Sequence, residues 1–303
     1  MSLTDTPKTR EQCRAALESL PDTPDRIPAI FLAHGPDAYL APKPPIPSDP
    51  FKGPIFNWAG REGPLAQFLD DLGPLLLKKY KPKGIIVHRL WERKPLLMDY
   101  YGFSPELYQV EFISRGDSVL TQKIVNAFIA AGIPARPIQI TEPRGHDGRG
   151  YDGPGLDHGV FMPEDIPVVE VSIDESLSTE KHWEIGRALR IKVCYLIISG
   201  GLVIHSFKNN GASFNPERAG PVLHDFHDAI TQAVLIKDPA ARREALHALT
   251  NHQGFRVANP REEHFIPLYV AAGAGDTLTG EDKDGETRIL ADFYGMSSFA
   301  FGL

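Results

Sequence analysis

The sequence predicts an α/β protein with one domain, in which a central mixed sheet is flanked by helices. Short apolar runs typical of buried strands alternate along the chain with amphipathic segments of helical spacing. No change of composition divides the 303 residues, and no internal repeat is visible. We expect residues 1–27 to be a polar leader and residues 28–303 to form the folded domain.

Local signals support each predicted element. The strands are short apolar runs bounded by turn residues. Lys78 and Lys79 suit the carboxyl end of a helix, and Pro216 and Pro239 stand where a first helical turn tolerates proline. In chain order we predict strand 28–33, helix 64–80, strand 84–87, helix 118–131, strand 166–173, helix 178–190, strand 194–205, helices 216–237, 239–252 and 261–272, and strand 298–302.

Composition and charge restrict the class of partner. A net charge of −7 and a pI near 5.9 argue against nucleic acid or an anionic membrane, and favour a small molecule. The two cysteines form neither a disulfide framework nor a thiolate metal motif, which fits a reducing compartment. The sequence shows no apolar segment typical of a signal peptide or a membrane helix. We therefore expect a cytoplasmic protein.

Several histidines occupy positions that suit a metal site. His34, His88 and His205 each end an apolar run, and ligands of α/β sheets collect beyond the carboxyl ends of strands. His158 lies in a glycine-flanked loop, and His264 in the first turn of the last predicted helix. Neutral imidazoles with open coordination positions are typical of non-haem Fe(II) or catalytic Zn(II). One histidine at a strand end is more often structural, so only their joint placement favours a metal. The others are expected at the surface: His146, His182, His224, His227, His247 and His252.

Five segments, four of them around these histidines, carry a family resemblance. They are residues 31–36 (FLAHGP), 99–108 (DYYGFSPELY), 155–163 (GLDHGVFMP), 199–205 (SGGLVIH) and 261–268 (REEHFIPL). Together they resemble the class III extradiol dioxygenases, specifically the 4,5-DOPA dioxygenase-like branch of the protocatechuate 4,5-dioxygenase superfamily. The resemblance spans most of the chain after residue 28.

The resemblance implies that residues 28–303 are an extradiol dioxygenase-like catalytic domain. His34 and His264 would bind the metal, His205 would be the acid/base near or on it, and His158 would line the substrate site. The family uses Fe(II) to join a catechol, here a DOPA-like one, with O2 and to cleave the ring outside the diol. Zn(II) could occupy the same site.

One family position is altered. The family's second metal histidine directly precedes a tryptophan, whereas here Leu90 precedes Trp91 and the nearest histidine is His88. We expect His88 to replace that ligand, because the preceding strand should deliver it to the sheet edge. An alternative hypothesis is a catalytically impaired relative that keeps the fold and binds a metal or a partner. A zinc hydrolase ranks last, because the sequence has no HExxH motif.

Overall fold

The computed structural model describes residues 6–22, 27–34, 63–89, 116–138, 166–191, 194–206, 215–276 and 285–303. The elements within these ranges alternate between helix and strand. In chain order they are α1 (Arg10–Glu18), β1 (Ala29–Ala33), α2 (Pro64–Tyr80), β2 (Gly84–Arg89), α3 (Ser118–Ala130), β3 (Val168–Ser172), α4 (Thr179–Leu189), β4 (Tyr195–Gly201), α5 (Pro221–Leu235), α6 (Pro239–Ala248), α7 (Phe255–Ala258), α8 (Pro267–Gly275), β5 (Thr287–Phe293) and β6 (Met296–Phe301).

The described strands form one mixed sheet in the order β3-β2-β4-β1-β6-β5. The first four strands of this order run parallel, and β6 and β5 are antiparallel additions at one side. Ala33 pairs with Gly201, so β1 and β4 reach their carboxyl ends side by side. The predicted mixed sheet flanked by helices is therefore confirmed.

Helices cover both faces of the sheet, as parallel strands require. Along β1, Ile30 and Leu32 pack with α1 and α2 on one face. Ala29 and Phe31 point to the opposite face, which α3, α4, α5 and α8 cover. This alternation follows from the two-residue period of a strand. No helix in the described ranges is long and apolar enough to cross a membrane.

Two glycines let α4 and α8 pack backbone to backbone. A Cβ on Gly186 would lie 2.1 Å from the carbonyl oxygen of Val270, and one on Gly273 would lie 2.2 Å from that of Trp183. Both separations are far below van der Waals contact, so only glycine fits at these positions. The close crossing fixes α8, and with it the turn that precedes α8, beneath the sheet.

Most predicted elements are confirmed to within a few residues, and two helix starts are wrong. Helix α5 begins at Pro221, after a separate short helical turn at Pro216–Arg218, because Gly220 is extended. Helix α8 begins at Pro267, where the ring is tolerated in a first turn but not in an interior turn. His264 therefore lies in the turn before the helix and not in its first turn. Strand β5 was not predicted at all.

Part of the predicted polar leader forms α1. The Thr9 side chain accepts from the backbone N–H of Gln12, whose side chain bonds back to the backbone N–H of Thr9, which makes a capping box. Cys13 and Leu17 of this helix are buried in the same core as β1. This helix was not predicted, and the division of the chain at residue 27 stays a prediction.

A buried carboxylate joins the amino-terminal segment to the carboxyl-terminal hairpin. Asp292 of β5 accepts hydrogen bonds from the hydroxyl of Thr6 at 2.7 Å, the hydroxyl of Ser297 at 2.8 Å and Nε2 of His227 at 2.8 Å. Burial alone would raise the pKa of Asp292, but these hydrogen bonds and the charge of His227 lower it to about 2. The carboxylate is therefore charged at neutral pH and links three separate parts of the chain.

Candidate metal centre

His34 and His264 are held against the carboxyl end of β4. The backbone N–H of His34, which follows β1, donates to the carbonyl of Gly201 at 3.3 Å. The carbonyl of His264 accepts from the backbone N–H of Leu202 at 2.8 Å. Gly201 permits this approach, because a Cβ there would lie 2.2 Å from the carbonyl oxygen of His264. Backbone contacts to one strand end thus bring two predicted metal ligands together.

The spacing of these two rings suits a shared metal ion. The ring centroids of His34 and His264 are 5.3 Å apart, at an interplanar angle of 42°. An imidazole bound through nitrogen at about 2.0–2.1 Å has its centroid roughly 3.2 Å from the metal, so two such rings at a tetrahedral angle are about 5.2 Å apart. The observed separation fits a pair of ligands on one ion.

His205 lies beside this pair, and its ring packs against one member of it at a tilted angle. Its ring centroid is 3.7 Å from that of His264, at an interplanar angle of 34°. Two imidazoles on one metal are roughly 4.5 Å or more apart, so the spacing of the His205 and His264 rings is too short for two ligands of one ion. Burial lowers the pKa of His205 to about 4, and its ring is therefore neutral at pH 7. Across the described ranges, no three His, Cys, Asp or Glu side chains gather closely enough to hold a metal ion.

The structure does not bring His88 to this cluster. β2 extends to Arg89, and His88 pairs with Ser199, which in turn pairs with Phe31. His88 is therefore level with Phe31, three residues short of His34, or about 10 Å back along the sheet at 3.3 Å per residue. Strand alternation also turns its side chain to the face covered by α4 and α8. The predicted strand end at residue 87 was two residues too early, so His88 lies within β2 and not beyond its end.

His182 is the partner of His88 on that face, and its predicted surface placement is wrong. Both side chains are fully buried, and their rings meet edge to face at 5.8 Å. Burial lowers the pKa of both imidazoles. The helical spacing could have predicted that His182 is buried, because it precedes buried Ile185 by three residues and buried Leu189 by seven, on the same face of the helix.

Comparison with known proteins agrees with this architecture. The family model described as the catalytic LigB subunit of aromatic ring-opening dioxygenase matches residues 28–299, nearly the whole chain. The chain belongs to this family. The predicted membership of the class III extradiol dioxygenases is confirmed by this match.

Two relatives of the LigB-family chain carry related names. A 4,5-DOPA dioxygenase extradiol-like protein of Schizosaccharomyces pombe is 36% identical over 310 residues, which cover 95% of each chain. A 4,5-DOPA dioxygenase extradiol of Beta vulgaris is 27% identical over 243 residues, which cover 74% of this chain and 82% of that one. The crystal structure of an uncharacterized protein of Escherichia coli K12 superposes with a TM-score of 0.57 at 21% identity, over 91% of this chain and 100% of the other. The structural likeness concerns the fold alone.

Several positions that carry the family resemblance, among them all of segments 99–108 and 155–163, fall outside the described residues. They include His158, predicted to line the substrate site, and Trp91, which follows the altered ligand segment. Among the described residues, the predicted site residues His34, His264 and His205 gather at the carboxyl edge of the two central strands.

Proposed function

We propose that the protein is a non-haem Fe(II)-dependent extradiol dioxygenase that opens the ring of a DOPA-like catechol with O2. The observation that carries this proposal is the pairing of His34 with His264 at a metal-ligand separation, with His205 packed against His264. Membership of the LigB family and the relatives named as DOPA dioxygenases support the reaction class.

His34 and His264 are the proposed metal ligands. Their imidazoles are the donors that Fe(II) and Zn(II) both accept, and an Fe(II) ion bound there would supply the electronic route by which O2 reacts with the catechol. Zn(II) could fill the same position without supporting oxygen chemistry. His88, predicted as a further ligand, lies too far along β2 to join the pair, so the remaining coordination is not assigned to it.

His205 is the proposed acid/base. A neutral imidazole beside a ligand ring can accept the proton of a catechol hydroxyl and return it to the opened product. Its ring packs against His264 and is partly buried. His158 is proposed to line the substrate site, as the family resemblance implies.

The displacement of His88 favours a second candidate function. A relative that keeps the fold and binds a metal, but has lost ring cleavage, would show such an altered second-ligand segment. In that case His34 and His264 would still bind a metal ion, and the chemistry would be absent.

Oxygen uptake separates the two candidates. The protein would be loaded anaerobically with Fe(II), its metal content measured, and O2 consumption followed with DOPA, catechol and protocatechuate, and with tyrosine as a monophenol control. The proposal expects one metal per chain and one O2 consumed per ring opened, with none for tyrosine or for the Zn(II)-loaded protein. Stoichiometric metal without uptake on any catechol would establish the impaired relative, and absence of metal binding would overturn both.

A further inference from the structure

A chain of buried polar contacts connects His88 to the turn that carries His264. Nδ1 of His88 lies 3.2 Å from the hydroxyl oxygen of Ser199, which donates to the carbonyl of Pro267 at 2.7 Å. Both side chains in this chain of contacts are fully buried. Pro267 begins α8, three residues after His264. The contacts therefore cross from β2 through β4 to the ligand-bearing turn.

The donors and acceptors in this series of polar contacts determine where the protons lie. A carbonyl can only accept, so the single hydroxyl proton of Ser199 is committed to Pro267. The contact with His88 is then a hydrogen bond only if Nδ1 of His88 carries the proton. Burial, with the nearby His182 ring, lowers the pKa of His88 well below its usual range. The ring is therefore neutral, protonated on Nδ1, and fixes the direction in which the hydroxyl points.

The turn from His264 to Pro267 is attached to β4 at both of its ends. The backbone N–H of Leu202 donates to the carbonyl of His264, and the hydroxyl of Ser199 donates to the carbonyl of Pro267. Two anchors that flank a four-residue turn restrict its rotation. Because the His264 side chain starts from this turn, the anchors also restrict the position of its ring.

We propose that His88 is a positioning residue, which orients the Ser199 hydroxyl toward Pro267 and so holds His264 in place to bind the metal. The inference rests on the proposed role of His264 as a ligand. It assigns a task to a histidine that lies near the family's second-ligand position without reaching the metal site.

The test combines four single variants and one double variant with two measurements. His88→Ala and Ser199→Ala break the chain of contacts, while His88→Asn keeps a side-chain nitrogen that can donate from about the place of Nδ1. Ser297→Ala is the matched control, because it removes a buried, hydrogen-bonded hydroxyl that does not contact this turn. The measurements are Zn(II) affinity by competition titration and, in metal-free protein, hydrogen exchange of the Leu202 amide.

We expect His88→Ala and Ser199→Ala to weaken Zn(II) affinity by about tenfold, the lower end of the range for residues that support a ligand. Exchange at Leu202 should become faster in both. The double variant should lose no more than either single one, because the two residues act in series. His88→Asn and Ser297→Ala should retain affinity within about twofold of the wild type.

Three outcomes would overturn the inference. If His88→Ala and His88→Asn lose Zn(II) affinity equally and Ser199→Ala keeps it, His88 acts without the Ser199 hydroxyl. If Ser199→Ala and Ser297→Ala lose Zn(II) affinity equally, the effect is a general one of removing a buried hydroxyl. This comparison can still be made if His88→Ala fails to fold. Unchanged exchange at Leu202 would show that the turn is not held in this way. Absence of Zn(II) binding by the wild type would instead overturn the proposed function, while the metal-free exchange would still decide whether His88 holds the turn.

Discussion

Replacing Gly201 by alanine should displace His264 with little change elsewhere. The added Cβ would lie 2.2 Å from the carbonyl oxygen of His264 and 3.0 Å from Cε2 of Phe31. Restoring an ordinary contact of about 3.2 Å requires the carbonyl to retreat by about 1 Å, which breaks its hydrogen bond from Leu202. Overpacking costs about 1–3 kcal/mol and the lost hydrogen bond about 1 kcal/mol, so we expect about 2–4 kcal/mol of destabilisation.

Two measurements test this expectation. With an unfolding entropy of about 2.1 cal/mol/K per residue, the cost lowers the melting temperature of the 303-residue chain by about 3–6 °C. Displacing a ligand by about 1 Å should weaken metal affinity by tenfold or more, to be measured by competition titration below the unfolding range.

Gly275→Ala provides the matched control. Its Cβ would lie 2.3 Å from Cβ of Phe301, a clash of the same size, but Phe301 pairs with Ala29 at the opposite edge of the sheet. This variant should lose stability and keep its metal affinity. Wild-type affinity in Gly201→Ala, or an equal loss of affinity in Gly275→Ala, would refute the argument that Gly201 makes room for the ligand turn.

Three further predictions concern other residues. Alanine at His34 or at His264 should abolish stoichiometric Fe(II) or Zn(II) binding, and full affinity in both variants would contradict the site assignment. His205→Ala should bind metal but lose ring cleavage by at least about 100-fold, the usual contribution of a positioned acid/base, so near-normal turnover on a catechol would make His205 structural. Because the pKa of Asp292 is lowered to about 2, its carboxylate stabilises the fold above pH 4, and about 2 kcal/mol should be lost as the pH falls from 4 to 2. Asp292→Asn should remove this part of the acid dependence of the melting temperature, and an unchanged acid profile would exclude it.

The sequence predicted those parts of the site that depend on local signals. His34 was located correctly, because an apolar run long enough for one buried strand stops immediately before it. The prediction that His264 lies in a helix was wrong. The apolar residues around it have helical spacing, but the helix begins only at Pro267. His88 was misplaced for a different reason. The end of β2 is set by pairing with β4, which reaches Gly200 opposite Arg89, and the sequence of β2 alone does not contain that information.

The remaining misses also reflect tertiary contacts. Strand β5 begins with the polar residues Thr287 and Arg288, and it becomes a strand through its pairing with β6. The apolar residues in the second half of β5 are too few to predict a strand by themselves. The turn after β5 is made by Tyr294, which has a positive φ of 62°, and tyrosine is not a residue that signals a turn in a sequence. Pairing with β6 therefore makes this segment the edge strand of the sheet, although its local propensity does not predict a strand.

The contact between Thr6 and Asp292 also bears on the order in which the chain can fold. These residues are 286 positions apart, and β1, the first of the described strands to be made, has β4 and β6 as its neighbours. During synthesis β1 and the apolar side of α1 must therefore wait for segments that emerge much later. Such long-range pairing slows folding and leaves strand edges exposed to other nascent chains. The sheet is therefore expected to close only after β5 and β6 have emerged, and not when the first half has emerged.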